Sequence, residues 1–130
     1  MIFLDTSLLV AYFNATDIHH EETAKALKQI AEGRHGVAYT SDYIFDELVT
    51  VMLSRAKNTR RAAAAGQHIL HSDIVMERVD SQTFKEAWNL FQKLGKLSFT
   101  DCTSLVFMRK RRIPNIATYD RELLDRAKAT

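Results

Sequence analysis

The sequence has few of the residues that stabilise secreted domains or form phosphate-binding loops. Its 130 residues include one cysteine, Cys102, so an internal disulfide is excluded and a reducing compartment is indicated. The four glycines, Gly33, Gly36, Gly66 and Gly95, are not grouped. A glycine-rich phosphate loop is therefore excluded as well.

Long apolar runs are also missing. The longest early run, residues 8–13, is far too short to span a membrane. Met1 leads directly into a strand-like segment without the basic region of a signal peptide. We therefore expect a cytoplasmic protein that is not associated with a membrane.

The composition is that of an ordinary globular protein, with 46% hydrophobic and 26% charged residues. A chain of this length is expected to fold as one domain, residues 1–130. The net charge is +2, from 18 basic and 16 acidic side chains. If four acids bind metal, 18 basic side chains face 12 acidic ones, an excess that suits a polyanionic substrate.

Strand-like and helix-like segments alternate from end to end, which indicates an α/β fold with a largely parallel sheet. Short apolar segments predict strands at 2–4, 37–40, 74–79 and 116–119. Helical spacing predicts helices over about 8–13, 19–32, 59–71, 81–94, 101–112 and 121–128, and one that starts near Asp42 and includes Met52. Thr6 or Ser7 is the expected N-cap of the first helix, and Thr100 that of the sixth.

Four carboxylates lie where a parallel sheet would present catalytic acids: Asp5, Glu47, Asp101 and Asp120. Two follow short strands and two lie in the opening turns of helices. In open α/β sheets these places face the crevice at the carboxyl ends of the strands, where ligands bind. Crowded carboxylates repel one another, so such a cluster implies a divalent cation.

Asp5 and Asp101 each have a simpler interpretation, as acids that complement a helix dipole. For Asp5 this interpretation is weakened because Thr6 and Ser7 already offer caps, which would leave Asp5 free. For Asp101, which follows the expected cap Thr100, it remains open.

Glu47 and Asp120 carry additional signals. Glu47 follows Ile44 by three residues and therefore points along a buried stripe, whereas Asp46 faces solvent. An ionised carboxylate there is costly unless it binds a metal or forms a buried salt bridge. Asp120 is expected to end the fourth strand, with Thr118 on the same face to hydrogen-bond a carboxylate. Alternatively, Asp120 only caps the helix that follows.

The ordered motifs resemble those of the PIN-domain nucleases and are most similar in style to VapC, the toxin of VapBC toxin–antitoxin pairs. The resemblance is carried by residues 3–7, 46–48, 98–102 and 117–120. It implies a PIN-like α/β/α sandwich with a Rossmann-like, mainly parallel sheet of four to five strands in the order 3-2-1-4. The chain ends soon after Asp120, which leaves a fifth strand in doubt.

The site implied by the resemblance is catalytic and metal-binding through the same four acids, Asp5, Glu47, Asp101 and Asp120. Their oxygens suit Mg²⁺ or Mn²⁺, and no histidine or cysteine cluster points to zinc. Because no Ser–His or Cys–His nucleophile is apparent, we expect metal-activated water to hydrolyse RNA. A homodimer and a VapB-like antitoxin are the implied protein partners.

Basic and aromatic side chains are candidates for RNA contacts. Four basic residues between two helices could flank a substrate groove: Arg55, Lys57, Arg60 and Arg61. Four aromatic residues could stack on bases or belong to the core: Tyr12, Phe13, Tyr43 and Tyr119. The basic run 109–112 lies about 12–17 Å along its helix from Asp101 and is typical of a solvated helix end.

Three other functions are compatible with parts of the pattern. A PIN-like module could bind RNA or protein without cleavage, although the intact acids count against it. A housekeeping RNA-processing nuclease would carry the same site. A phosphotransferase with Asp5 as nucleophile would want a second acid two residues later, where Ser7 stands.

Overall fold

The computed structural model describes residues 1–129, and the last residue of the expected domain lies outside them. Strands and helices alternate through most of this range. They are β1 (Ile2–Leu4), α1 (Thr6–Phe13), α2 (His20–Ala31), β2 (Ala38–Ser41), α3 (Asp42–Ala56), α4 (Thr59–Leu70), β3 (Val75–Glu77), α5 (Ser81–Leu94), α6 (Phe99–Arg111), β4 (Asn115–Ala117) and α7 (Arg121–Lys128).

The four strands form one parallel sheet in the order β3-β2-β1-β4. In the register of the central strand, Phe3 lies opposite Tyr39 on one side and Ile116 on the other. The three residues of β1 are all buried, as expected for the centre of a parallel sheet covered by helices. The predicted α/β class and strand order 3-2-1-4 are confirmed, with four strands in the described part of the chain.

Two clusters of buried side chains stabilise the fold. One joins β1 to α1, α3 and α4, and includes Leu9, Ile44 and Leu48, each at most 1% exposed. The other packs α5, α6 and α7 together through Ala87 and Leu123. Full burial of one such aliphatic side chain contributes about 1.5–3 kcal/mol. No helix within residues 1–129 is long and apolar enough to cross a membrane.

Two strands are shorter than predicted because backbone N–H groups just beyond them donate to side-chain oxygens and not to a neighbouring strand. The third strand was expected over 74–79 but ends at Glu77, and the Val79 N–H donates to Asp42 Oδ1 at 2.9 Å. The fourth was expected to reach Tyr119 but ends at Ala117. The prediction that Asp120 ends this strand was therefore wrong, since Asp120 follows its last residue by three positions.

Candidate active site

The four predicted acids line one pocket of about 460 Å³, beyond the carboxyl ends of β1 and β4. Asp5 precedes α1, Asp101 lies in the first turn of α6, and Asp120 precedes α7. Glu47 reaches the same pocket from the middle of α3. Chain topology thus brings together carboxylates that are up to 115 residues apart.

Asp5 is 4% exposed and is itself the N-cap of α1. Its Oδ2 accepts hydrogen bonds from the Ser7 N–H at 3.4 Å and the Ser7 hydroxyl at 2.9 Å. The prediction that Thr6 or Ser7 caps α1 and leaves Asp5 free was therefore wrong. An aspartate is as good an N-cap as a serine, and here Ser7 serves to hold the aspartate. Asp5 Oδ1 accepts no hydrogen bond from residues 1–129.

Thr118 supports a carboxylate, as predicted, but that carboxylate is Asp5. The Thr118 hydroxyl donates to Asp5 Oδ2 at 2.7 Å and accepts the Asp120 N–H at 3.0 Å. The Ser7 hydroxyl accepts the Tyr119 N–H at 2.9 Å, which ends the β4 ladder. The expected alternation between Thr118 and Asp120 fails because neither residue is in the strand. Two hydroxyls thus join the loops after β1 and β4 and orient Asp5.

Asp101 forms a capping box with Ser98, so Thr100 is not the N-cap of α6 as predicted. Asp101 Oδ2 accepts the Ser98 N–H at 3.1 Å, and Ser98 Oγ accepts the Asp101 N–H at 3.0 Å. Burial raises the pKa of Asp101 to about 6 against the lowering effect of these hydrogen bonds. The negative charges of Asp5 and Asp120 contribute to this increase.

Asp120 caps α7, since its Oδ1 accepts the Leu123 N–H at 3.1 Å. Asp120 is therefore a cap, and its Oδ2 accepts no hydrogen bond from the described residues. Asp5, Asp101 and Asp120 therefore share one arrangement, in which one oxygen satisfies a helix N-terminus and the other stays available. The positive ends of three helices also meet at the pocket and favour anions there.

Glu47 is half-buried, whereas Asp46 is exposed, as predicted. Within residues 1–129 the Glu47 carboxylate makes no hydrogen bond and no ion pair, so the buried salt bridge considered for it is not formed. A half-buried carboxylate in a pocket that also contains four aspartates would normally gain a partner. Glu47 therefore contributes to a surplus of negative charge that the described part of the chain leaves uncompensated.

The donor set of the pocket fits a hard divalent cation. The hydroxyl of Thr6, which also lines the pocket, is buried and finds no hydrogen-bond partner among the described residues. As placed here, no three histidine, cysteine, aspartate or glutamate side chains of residues 1–129 stand close enough to bind one ion. Carboxylate and hydroxyl oxygens are nevertheless the ligands that Mg²⁺ and Mn²⁺ take.

Four further residues of the pocket were missed or left undecided by sequence reasoning: Asp17, His19, Arg55 and Tyr119. The His19 and Tyr119 rings stack at 4.1 Å with 7° between their planes. His19 lies in the connection before α2, where no periodicity or motif marks it. Arg55 and Tyr119 were each one of four candidates that the sequence could not separate.

Comparisons with known proteins agree with the fold and the motifs. The family model described as PIN domain matches residues 2–129. The chain is 32% identical over 122 residues to the 23S rRNA-specific endonuclease VapC20 of Mycobacterium tuberculosis, covering 92% of this chain and 89% of that protein. It is 24% identical to a VapC ribonuclease of Archaeoglobus fulgidus, covering 90% and 75% of the two chains.

A solved structure matches as well. The crystal structure of Mycobacterium tuberculosis VapC20, described as a sarcin–ricin loop cleaving toxin, superposes with a TM-score of 0.83 at 30% identity. The match covers 95% of this chain and 92% of that one.

Proposed function

Because the chain belongs to the PIN domain family, we propose that it is a metal-dependent endoribonuclease and the toxin of a VapBC-type pair. The observation that carries the proposal is the meeting of Asp5, Glu47, Asp101 and Asp120 in one pocket at the carboxyl ends of the strands. Residues 1–130 would then be one PIN domain acting in the cytoplasm.

A structured ribosomal RNA is the proposed substrate. VapC20, which is 32% identical over most of both chains, carries the name of a 23S rRNA-specific endonuclease. Its crystal structure is described as that of a sarcin–ricin loop cleaving toxin. Outside the four acids this chain has more basic than acidic side chains, which favours association with a polyanion. A hairpin loop with unstacked bases is the form of RNA that proteins recognise most specifically.

Asp5, Glu47, Asp101 and Asp120 would hold Mg²⁺ or Mn²⁺, with the Thr6 hydroxyl beside them. Such an ion lowers the pKa of a water molecule and stabilises the charge that develops on a phosphate. Ser7 and Thr118 hold one oxygen of Asp5 in place. The N-termini of α1, α6 and α7 would attract the phosphate group itself.

The proposed protein partners are a second copy of the chain and a VapB-like antitoxin. A nuclease that attacks the RNA of its own cell requires an inhibitor. An anionic pocket attracts a well-placed arginine or lysine once the cation is displaced. We therefore expect a basic side chain of the antitoxin to reach the carboxylates and to compete with Mg²⁺.

The direct test is cleavage of a synthetic RNA hairpin with the sarcin–ricin loop sequence, with a scrambled loop as control. Cleavage should require Mg²⁺ or Mn²⁺, stop in EDTA and be poorly supported by zinc. The melting temperature should rise with Mn²⁺ because the ion binds the native state. Full activity in chelator would exclude this chemistry.

The toxin role is tested separately by expression in a bacterial host. Wild-type protein should arrest growth, whereas the Glu47→Gln protein at equal abundance should not, and co-expression of the antitoxin should restore growth. Harmless wild-type expression with unchanged RNA profiles would remove the toxin role. If the protein nevertheless cleaves RNA in vitro, the function that remains is that of a housekeeping nuclease.

A further inference from the structure

The acidic pocket is also lined by basic and aromatic side chains. Of the four basic candidates Arg55, Lys57, Arg60 and Arg61, only Arg55 lines the pocket in the described part of the chain. Of the four aromatic candidates, only Tyr119 does so, and His19 stacks on it. Tyr12 and Phe13 instead pack against His68, and Tyr43 packs against Phe99.

Helix α3 places Arg55 on the same stripe as a proposed catalytic acid. Glu47, Val51 and Arg55 are spaced by four residues and all line the pocket. Eight residues of helix separate Arg55 from Glu47 by about 12 Å. Arg55 is exposed and makes no ion pair or hydrogen bond within residues 1–129. The exposed Arg55 guanidinium shares the pocket with the proposed cation site and can bind a phosphate of the same RNA strand.

His19 and Tyr119 form a fixed aromatic platform in the same pocket. The His19 backbone N–H donates to Asp17 Oδ1 at 2.8 Å, and its Nδ1 lies 2.6 Å from Glu22 Oε1. The Tyr119 hydroxyl is hydrogen-bonded to Thr23 Oγ1. The His19 side chain nevertheless remains 43% exposed. An immobilised ring with open surface is what an unstacked base requires.

We propose that Arg55 and His19 form a substrate-recognition site for single-stranded RNA: Arg55 binds a phosphate flanking the scissile one, and an unpaired base stacks on His19. The inference rests on the proposed function and adds the residues that select and position the RNA. Arg55 and His19 are positioning residues, since neither is placed among the carboxylates that would hold the cation.

Single-turnover cleavage of the sarcin–ricin hairpin in Mn²⁺, titrated with enzyme, tests the site through the apparent dissociation constant and the maximal rate. Arg55→Gln should raise the constant about 10-fold with the maximal rate within about 2-fold. The slope of the logarithm of this dissociation constant against log[KCl] should fall in magnitude by about 0.7, as for one lost single-strand phosphate contact. Arg55→Lys should keep the slope because it keeps the charge.

His19→Ala should also weaken RNA binding about 10-fold without changing the salt slope, whereas His19→Phe, which keeps a stacking face, should recover most of the affinity. Matched controls are Arg60→Gln and His71→Ala, two exposed positions that do not line the pocket. If wild-type protein cleaves the hairpin but Arg55→Gln and His19→Ala behave like these controls, the recognition site is wrong and the proposed function stands. If wild-type protein cleaves neither hairpin nor total cellular RNA, the proposed function fails and the recognition site fails with it.

Discussion

Two cavities at opposite ends of the sheet differ in size and in chemistry. The larger, of about 680 Å³, is lined by apolar side chains of α1, α2 and α4 near the amino ends of β2 and β3. The smaller, of about 460 Å³, contains the four predicted acids beyond the carboxyl ends of β1 and β4. Volume and apolar lining alone would select the larger cavity as the binding site. Convergence of titratable groups selects the smaller one instead.

The difference follows from the polarity of a parallel sheet. Helix N-termini and strand carboxyl ends lie at the same edge, so N-capping aspartates and exposed N–H groups collect there. The opposite edge receives apolar helix surfaces, such as Ile30 and Ile69, which are 8% and 3% exposed. One end therefore stabilises the fold, while the other holds repelling charges and the Thr6 hydroxyl, which has no hydrogen-bond partner among residues 1–129. Substitutions should separate the two ends by their effects on activity and on stability.

Asp5→Asn should have the largest effect on activity and almost none on folding. Asparagine is an equally good N-cap and retains an oxygen for the Ser7 and Thr118 hydroxyls, but it removes the charge that holds the cation. We expect cleavage of the hairpin RNA to fall at least about 100-fold. The melting temperature in EDTA should stay equal or rise, because carboxylate repulsion is relieved. Substantial cleavage by this folded variant would disprove the proposed site.

Ile69→Ala, at the larger cavity, should have the reverse effect. Removing a buried aliphatic side chain costs about 2–5 kcal/mol of unfolding free energy. Urea denaturation should show this loss, whereas kcat for hairpin cleavage should stay within about 2-fold of wild type at temperatures well below the transition. A large loss of kcat in the folded variant would mean that the two ends of the sheet are coupled.

The shared pocket could be predicted from local patterns, whereas the strand order 3-2-1-4 followed from the resemblance to the PIN-domain nucleases. Asp5, Asp101 and Asp120 each lie next to a short strand or a helix start, and a parallel sheet brings such positions to one edge. The cap of α6 was also readable, since Ser98 and Asp101 have the spacing of a capping box, but Thr100 is an equally plausible residue type. At α1 the same ambiguity among neighbouring polar residues led to the wrong prediction, since the observed N-cap is Asp5.

Long-range hydrogen bonds could not be predicted in the same way. The β4 strand ends where the Ser7 hydroxyl, 112 residues earlier, accepts the Tyr119 N–H. Nothing near residue 119 in the sequence indicates that contact. His19 likewise reaches the pocket only because the connection before α2 folds over Tyr119. Residues positioned by the tertiary fold alone carry no local signal, and these residues complete the site.

Thr6→Val tests whether the acidic end gives up stability for function. Valine matches threonine in shape but removes the buried hydroxyl that has no partner in the described structure. In EDTA we expect the free energy of unfolding to rise by about 1 kcal/mol in urea titrations. Cleavage in Mn²⁺ should fall about 10-fold if the hydroxyl supports the cation site. Lower stability together with unchanged cleavage would show that Thr6 belongs to the core.

The sign of the change in stability with pH should distinguish the acidic end of the sheet from the apolar end. Burial, together with the charges of Asp5 and Asp120, raises the pKa of Asp101 to about 6, whereas an unfolded aspartate titrates near 3.9. Between about pH 4 and 6 the native state therefore holds a proton that the unfolded chain has lost. The contribution of Asp101 to stability is then full below about pH 4 and is lost as the pH rises through 6.

In EDTA, the unfolding free energy of wild-type protein should fall more steeply over this pH interval than that of Asp101→Asn, whose side chain does not titrate. Asp101 is only partly buried, so solvent screening keeps this effect the smallest of the four. Saturating Mn²⁺ should remove the difference in slope or reverse it, because cation binding requires the ionised carboxylate. Equal slopes for the two proteins in chelator would show that Asp101 does not retain its proton in the pocket. The electrostatic contrast between the two ends of the sheet would then depend on the other three acids.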